Sequence, residues 1–202
     1  MNVRFLLLIA LVLPLGGCAS WFQLTPVDRV DRVRLERAVA VNADHAHAHL
    51  LLGRADLRVG EPSRALDAFR RAMAADDRIE EAWAGAGVAL MDLDRLGAAR
   101  EHYDAMAQRF PRSAVAHEGL AAVALQRRDL ETARAHVADA LDRDPAAAPA
   151  FFYLGEIEYA SGNLSEAVVA WQRAVALNPE YAPRLKSMLA DLEAYLKKYP
   201  DL

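Results

Sequence analysis

The feature that most restricts this chain is a period of 34 residues. Pro111, Pro145 and Pro179 stand at that interval, with Asp77 in the place before them. Gly53, Gly87 and Gly155 follow it, with Ala121 between the last two. So do Ala65, Ala99, Ala133 and Ala167, and so do Phe69, Tyr103, Val137 and Trp171. A fixed interval of this size marks stacked copies of one supersecondary unit, each too small to bury its apolar face alone. The copy at 80–111 shows the pattern. There Trp83, Gly87 and Leu90 share one face of a first helix, and Ala99, Tyr103 and Met106 share one face of a second. The small Gly or Ala between them lets the two helices approach closely.

The turns agree with that reading. Gly60-Glu61-Pro62, Asp94-Arg95-Leu96, Arg128-Asp129-Leu130 and Gly162-Asn163-Leu164 separate the helices of each pair. Glycine supplies the left-handed backbone that ends a helix, and Pro62 suits the first turn of the next. The prolines after Asp144 and Asn178 end second helices and turn the chain into the next unit.

These columns resemble the tetratricopeptide repeat: Trp, Leu-Gly, then Ala, an aromatic, Ala and Pro. The copy at 148–180 carries Phe151, Leu154, Gly155, Ala167, Trp171, Ala174 and Pro179. The copies beginning at Ala46 and Ala114 depart from it, with His49 and His117 at the Trp place and Ala121 at a Gly place. The resemblance implies an all-α, right-handed superhelical solenoid. Four units are expected at 46–79, 80–113, 114–147 and 148–181. A leading helix at 27–45 and a final helix at 182–202 are expected to cap them, because a solenoid needs polar outer faces at its ends. In the final helix Leu185, Leu189 and Leu192 should face the last repeat, while Lys186, Glu193, Lys197 and Lys198 face water.

The N-terminus has a different character. Arg4 precedes an unbroken apolar run at 5–13, too short to span a bilayer, and Pro14 closes it. Leu15-Gly16-Gly17-Cys18 follows. A charged start, an apolar run and small residues at a cleavage point are the parts of a secretory signal. Ending in Cys, this one resembles the bacterial lipoprotein signal. That implies removal of 1–17 and lipidation of Cys18, so that acyl chains such as palmitate hold the protein on a membrane. Several chains anchor stably where one does not. No Asp follows Cys18, which by resemblance favours the outer membrane and a periplasm-facing domain. Segment 18–26 is then a tether reaching no more than roughly 30 Å at about 3.3–3.6 Å per residue. Its Trp21 and Phe22 either rest in the lipid interface or pack on the first helix.

Composition narrows the function classes. The 202 residues are 54% apolar and 26% charged, enough for one domain with a sizeable core and too apolar for a disordered chain. The formal charge of −4 lacks the basic footprint of a nucleic-acid binder. A single cysteine excludes an intrachain disulfide framework and a multi-cysteine zinc site. No nucleophile elbow, phosphate-binding glycine loop or Cys-x-x-Cys is present, so neither enzymatic activity nor a cofactor is expected.

Candidate binding residues come from helical geometry. In each first helix the residues one, five and eight after the Trp place form a stripe pointing away from the partner helix. They are Leu50, Arg54 and Leu57; Ala84, Val88 and Met91; Glu118, Ala122 and Leu125; Phe152, Glu156 and Tyr159. Stacked pairs curve and leave a concave surface lined by first helices. A mostly apolar strip there suits a helix or an extended segment of a partner protein. The Lys and Asn of the carboxylate clamp in chaperone-binding relatives are absent from it.

The histidines give little by sequence. His45 and His49 lie four apart in a helix, but His49 occupies a core column and Asp44 suits the helix cap, so no metal site is expected there. His102, His117 and His136 look scattered, His102 toward solvent and His117 packed. The expected function is an outer-membrane-anchored scaffold that docks a protein, by resemblance in assembly of a pilus or secretion machine. The other readings are a metal- or cofactor-maturation chaperone, a cell-wall enzyme adaptor, and self-association into a homodimer.

Overall fold

The computed structural model describes residues 29–42 and 45–198. The signal segment 1–17, Cys18, the tether and Asp44 lie outside the described residues. Within them the chain forms ten α-helices and no strand. They are α1 (Arg29–Val41), α2 (Ala46–Arg58), α3 (Pro62–Ala75), α4 (Glu80–Asp92), α5 (Leu96–Arg109), α6 (Val115–Gln126), α7 (Leu130–Arg143), α8 (Ala148–Ser161), α9 (Leu164–Leu177) and α10 (Ala182–Lys198). A 3₁₀ turn, Pro179–Tyr181, leads into α10.

The helices run as antiparallel pairs, α2 with α3 through α8 with α9, each pair packed on the next. The ladder of fully buried alanines, Ala65, Ala99, Ala133 and Ala167, marks where the two helices of each pair meet. Next to each sits the large residue of its second helix: Phe69, Tyr103, Val137 or Trp171, all at most 3% exposed. Two of these rings are wedged between repeats. A Cβ added at Gly53 or at Gly85 would come within 2.9 Å of the Phe69 ring. One added at Gly87 or Gly119 would come within 2.7 Å of Tyr103. The ring of one repeat therefore fills a notch in its own first helix and a second notch in the next.

The turns hold one left-handed residue each, at Gly60, Asp94, Arg128 and Gly162. The conformation is set by the tight link between antiparallel helices, and Asp94 and Arg128 adopt it without being glycine. The second helices end in extended residues, Asp76, Asp144 and Asn178, which swing the chain into the next unit. Two arginines reach back one repeat: Arg109 pairs with Asp77 at 3.0 Å, and Arg143 Nε donates to the Pro111 carbonyl at 3.3 Å. In α10 Leu185 is fully buried, Leu189 and Leu192 pack against the core, and Lys186, Glu193, Lys197 and Lys198 are exposed. Gln172 of α9 donates to Glu193 of α10 at 2.8 Å.

At the start of α2 the cap is His45, one residue after Asp44. Its ring nitrogen Nδ1 accepts from the Ala48 amide at 3.4 Å. His45 is thereby turned toward the backbone, while His49 is buried at 3% exposure.

Candidate functional site

Successive first helices touch one another, α2 with α4, α4 with α6, and α6 with α8, so they line one face of the stack. A cavity of about 360 Å³ opens on that face. Ala84, Val88, Met91, Glu118 and Ala122 of the sequence-derived strip line it. Glu80, Glu81, Tyr103, Val115, Gly119, Pro149 and Tyr153 complete the wall.

The rest of the strip lies elsewhere. Leu50 and Leu57 are buried in the core, with Arg54 half-buried between them on α2. Leu125, Glu156 and Tyr159 are half-buried outside the cavity. Phe152 is covered: Tyr181 stacks on it at 5.2 Å, and the Arg184 guanidinium lies 4.6 Å from its ring centre. The start of α10 folds over this end of the strip because a flat aromatic and a cation both find an apolar ring there.

Electrostatics give the cavity its character. Glu118 is 9% exposed, and burial, reinforced by the negative charges of Asp144 and Glu80, pushes its carboxyl up to about 7. Burial also raises Glu156, against the opposing charge of Arg184. Tyr181 is held well above the usual tyrosine range by burial and by the nearby Glu118. Near neutral pH, Glu118 thus exchanges a proton easily. Glu80 accepts from the Ser113 hydroxyl, which ties the mouth of the cavity to the loop before α6. The charged residues lining the cavity, Glu80, Glu81 and Glu118, are all acidic and would repel a carboxylate ligand, in keeping with the absence of clamp residues.

Two histidine expectations change. His102 is not on the solvent side: it stacks on Trp83 with centroids 5.4 Å apart, and its Nε2 bonds the Trp83 carbonyl at 2.8 Å. His117 and His136 are not scattered: their rings lie 5.8 Å apart, with Asp139 beside both. The repeat length matches His102 to His136 and Trp83 to His117, so the two pairs occupy equivalent places in successive repeats. The same signal finds a missed wall position. Gly85, Gly119 and Tyr153 form a further column, and two of the three line the cavity.

Comparison with known proteins agrees with this geometry. A family model described as tetratricopeptide repeat matches residues 34–77, 50–114 and 116–182. The chain belongs to the tetratricopeptide repeat family. No curated protein sequence matches it. Among solved structures of this fold, the thermophilic repeat protein TTC0263 of Thermus thermophilus superposes with a TM-score of 0.62. It is 23% identical and covers 77% of this chain and 92% of its own. Pseudomonas aeruginosa PilF superposes at 0.61, with 20% identity over 86% of this chain and 85% of its own. YrrB, described as having an unusual peptide-binding site, superposes at 0.53, with 18% identity over 83% and 93%. At these identities the likeness is one of fold. The tetratricopeptide repeat is a protein-interaction scaffold.

Proposed function

We propose that this protein docks a short extended segment of a partner protein along the face of α4, α6 and α8. The observation that carries the reading is the cavity there, apolar at Ala84, Val88, Met91, Ala122 and Pro149 and acidic at Glu80, Glu81 and Glu118. An apolar side chain fills such a space, and a neighbouring Lys or Arg of the partner meets the glutamates. The peptide-binding site of YrrB supports the same use of the fold.

The N-terminal sequence supports the setting. Lipidation at Cys18 holds the scaffold on the outer membrane, facing the periplasm, within reach of an envelope machine under assembly such as a pilus or secretion system. The scaffold acts by positioning its partner, with no chemistry of its own. The test is cross-linking in living cells, comparing the native protein with Val88→Glu. The partner should be lost at least tenfold with Val88→Glu, and equal capture by both would overturn the docking face. Metabolic labelling with a lipid precursor should mark the native chain and not Cys18→Ala.

A further inference from the structure

The third repeat replaces an aromatic pair with potential ligands. His117 of α6 stands one repeat after Trp83, His136 of α7 one repeat after His102, and Asp139 one repeat after Ala105. One ligand atom from each of the three lies within 4.8 Å of the other two. His117 Nδ1 is 3.5 Å from Asp139 Oδ2, and His136 Nδ1 is 3.9 Å from the same oxygen. Both distances exceed a hydrogen bond. Both Nδ1 atoms are shielded from solvent and neither has a hydrogen-bond partner. The rings are tilted by 45°, so they do not stack as Trp83 and His102 do.

Two sheltered ring nitrogens therefore converge on one carboxylate oxygen without bonding to it. A metal ion satisfies all three at once. Zinc takes imidazole nitrogen and carboxylate oxygen at about 2.0–2.2 Å, which places the ligand atoms of a tetrahedron about 3.4 Å apart. The two measured separations are already close to that edge. The supporting shell is present too. Arg143 lies 3.7 Å from the other oxygen of Asp139 and donates to the Asp139 backbone carbonyl at 2.6 Å, which places a cation beside the carboxylate on the side away from the imidazoles' shared oxygen. The positive charges of Arg143 at His117 and Arg100 at His136 oppose a cation, while Asp104, whose field reaches both imidazoles, favours it. The side chain of Asp139 is 51% exposed and gives the ion a way in.

We propose that His117, His136 and Asp139 form a binding site for a divalent transition ion, zinc first, with the remaining position open to water. The site spans α6 and α7 of one repeat, so a bound ion clips that helix pair together. It is separate from the 45–49 segment, where His45 caps a helix.

Calorimetric titration of the full-length chain with zinc chloride tests this. One ion per chain should bind with micromolar affinity, and Asp139→Asn, nearly the same shape, should weaken it at least tenfold. His117→Trp copies the residue that the second repeat carries at this place, so the fold is kept, as circular dichroism would verify. It should abolish binding. His45→Ala should leave the affinity unchanged. Absence of binding to the native chain would overturn the site. So would binding that survives His117→Trp and Asp139→Asn, or that is lost with His45→Ala.

Discussion

In the second repeat Trp83 stacks on His102, and in the third His117 and His136 take the same two places with their rings tilted by 45°. The pair of repeats differs at other matched places as well. Ala84 becomes Glu118, Tyr103 becomes Val137, Gly87 becomes Ala121, and Asp94 becomes Arg128. Yet Ala99 and Ala133 are both fully buried, and the second helices, α5 and α7, begin and end in register. The comparison separates two kinds of position. The alanine at the centre of each helix pair, Ala99 or Ala133, is the same in both. The places around them vary in size and charge: Ala84 to Glu118 is a change on the cavity strip, and Trp83 to His117 is a change at the Trp place, where the histidine cluster forms.

The size exchange is the first place to test this. Tyr103 fits because Gly87 and Gly119 leave it room, whereas the smaller Val137 stands opposite the larger Ala121. A Cβ at Gly119 would lie 2.2 Å from the Tyr103 ring. Gly119→Ala should therefore cost about 3 kcal/mol in urea unfolding, the upper end for an overpacked core. Adding Tyr103→Val, which copies the third repeat, should recover part of that loss. A strictly additive double mutant would show that the ring and the glycine do not compete for one space.

Charge is the second. Glu118 is raised from its ordinary 4.5 to about 7 in the folded chain. The folded state then holds more protons than the unfolded one across that window, so this group lowers stability as pH rises from about 4.5 to 7. At about 1.4 kcal/mol per unit the ceiling is about 3 kcal/mol. The open side of the cavity reduces it to about 2 kcal/mol. Between pH 5 and pH 8 the urea midpoint of the native protein should fall by this amount relative to that of Glu118→Gln, since Glu156, also raised by burial, is common to both. His117 and His136, lowered by burial, give the opposite slope, but they are common to both proteins and cancel in the difference. Equal slopes would mean that Glu118 is solvated.

Backbone conformation is the third and smallest. Arg128 sits at φ 60° where the first and fourth repeats use glycine. Arg128→Gly should stabilise by about 0.5–1 kcal/mol, since an L side chain strains that conformation. Asp94→Gly should gain less, because Asp tolerates the left-handed region better.

The fold was legible because its determinants recur. A column of Ala read four times, or of Gly or Pro read three times in four, is hard to misplace, and helical spacing then places the faces. The cavity was legible in part. Val88, Met91 and Ala122 follow from the angle around one helix, but Tyr153 and Pro149 enter from the neighbouring repeat. The covering of Phe152 by Tyr181 and Arg184 depends on how α10 returns across the stack, which no local period encodes. The histidine cluster escaped for another reason. His117 and Asp139 are 22 residues apart and meet only when two helices pack, so their nearness is a property of the pair.

The wedged rings have a consequence for how this molecule comes apart. Phe69 cannot leave its place unless both Gly53 and Gly85 move, and Tyr103 is held likewise by Gly87 and Gly119. The first three repeats are thus latched in series, like links sharing pins. Hydrogen exchange in α2 through α6 should accordingly report one common opening. The boundary where a short valine replaces the pin, between α7 and α8, is where the chain would part first.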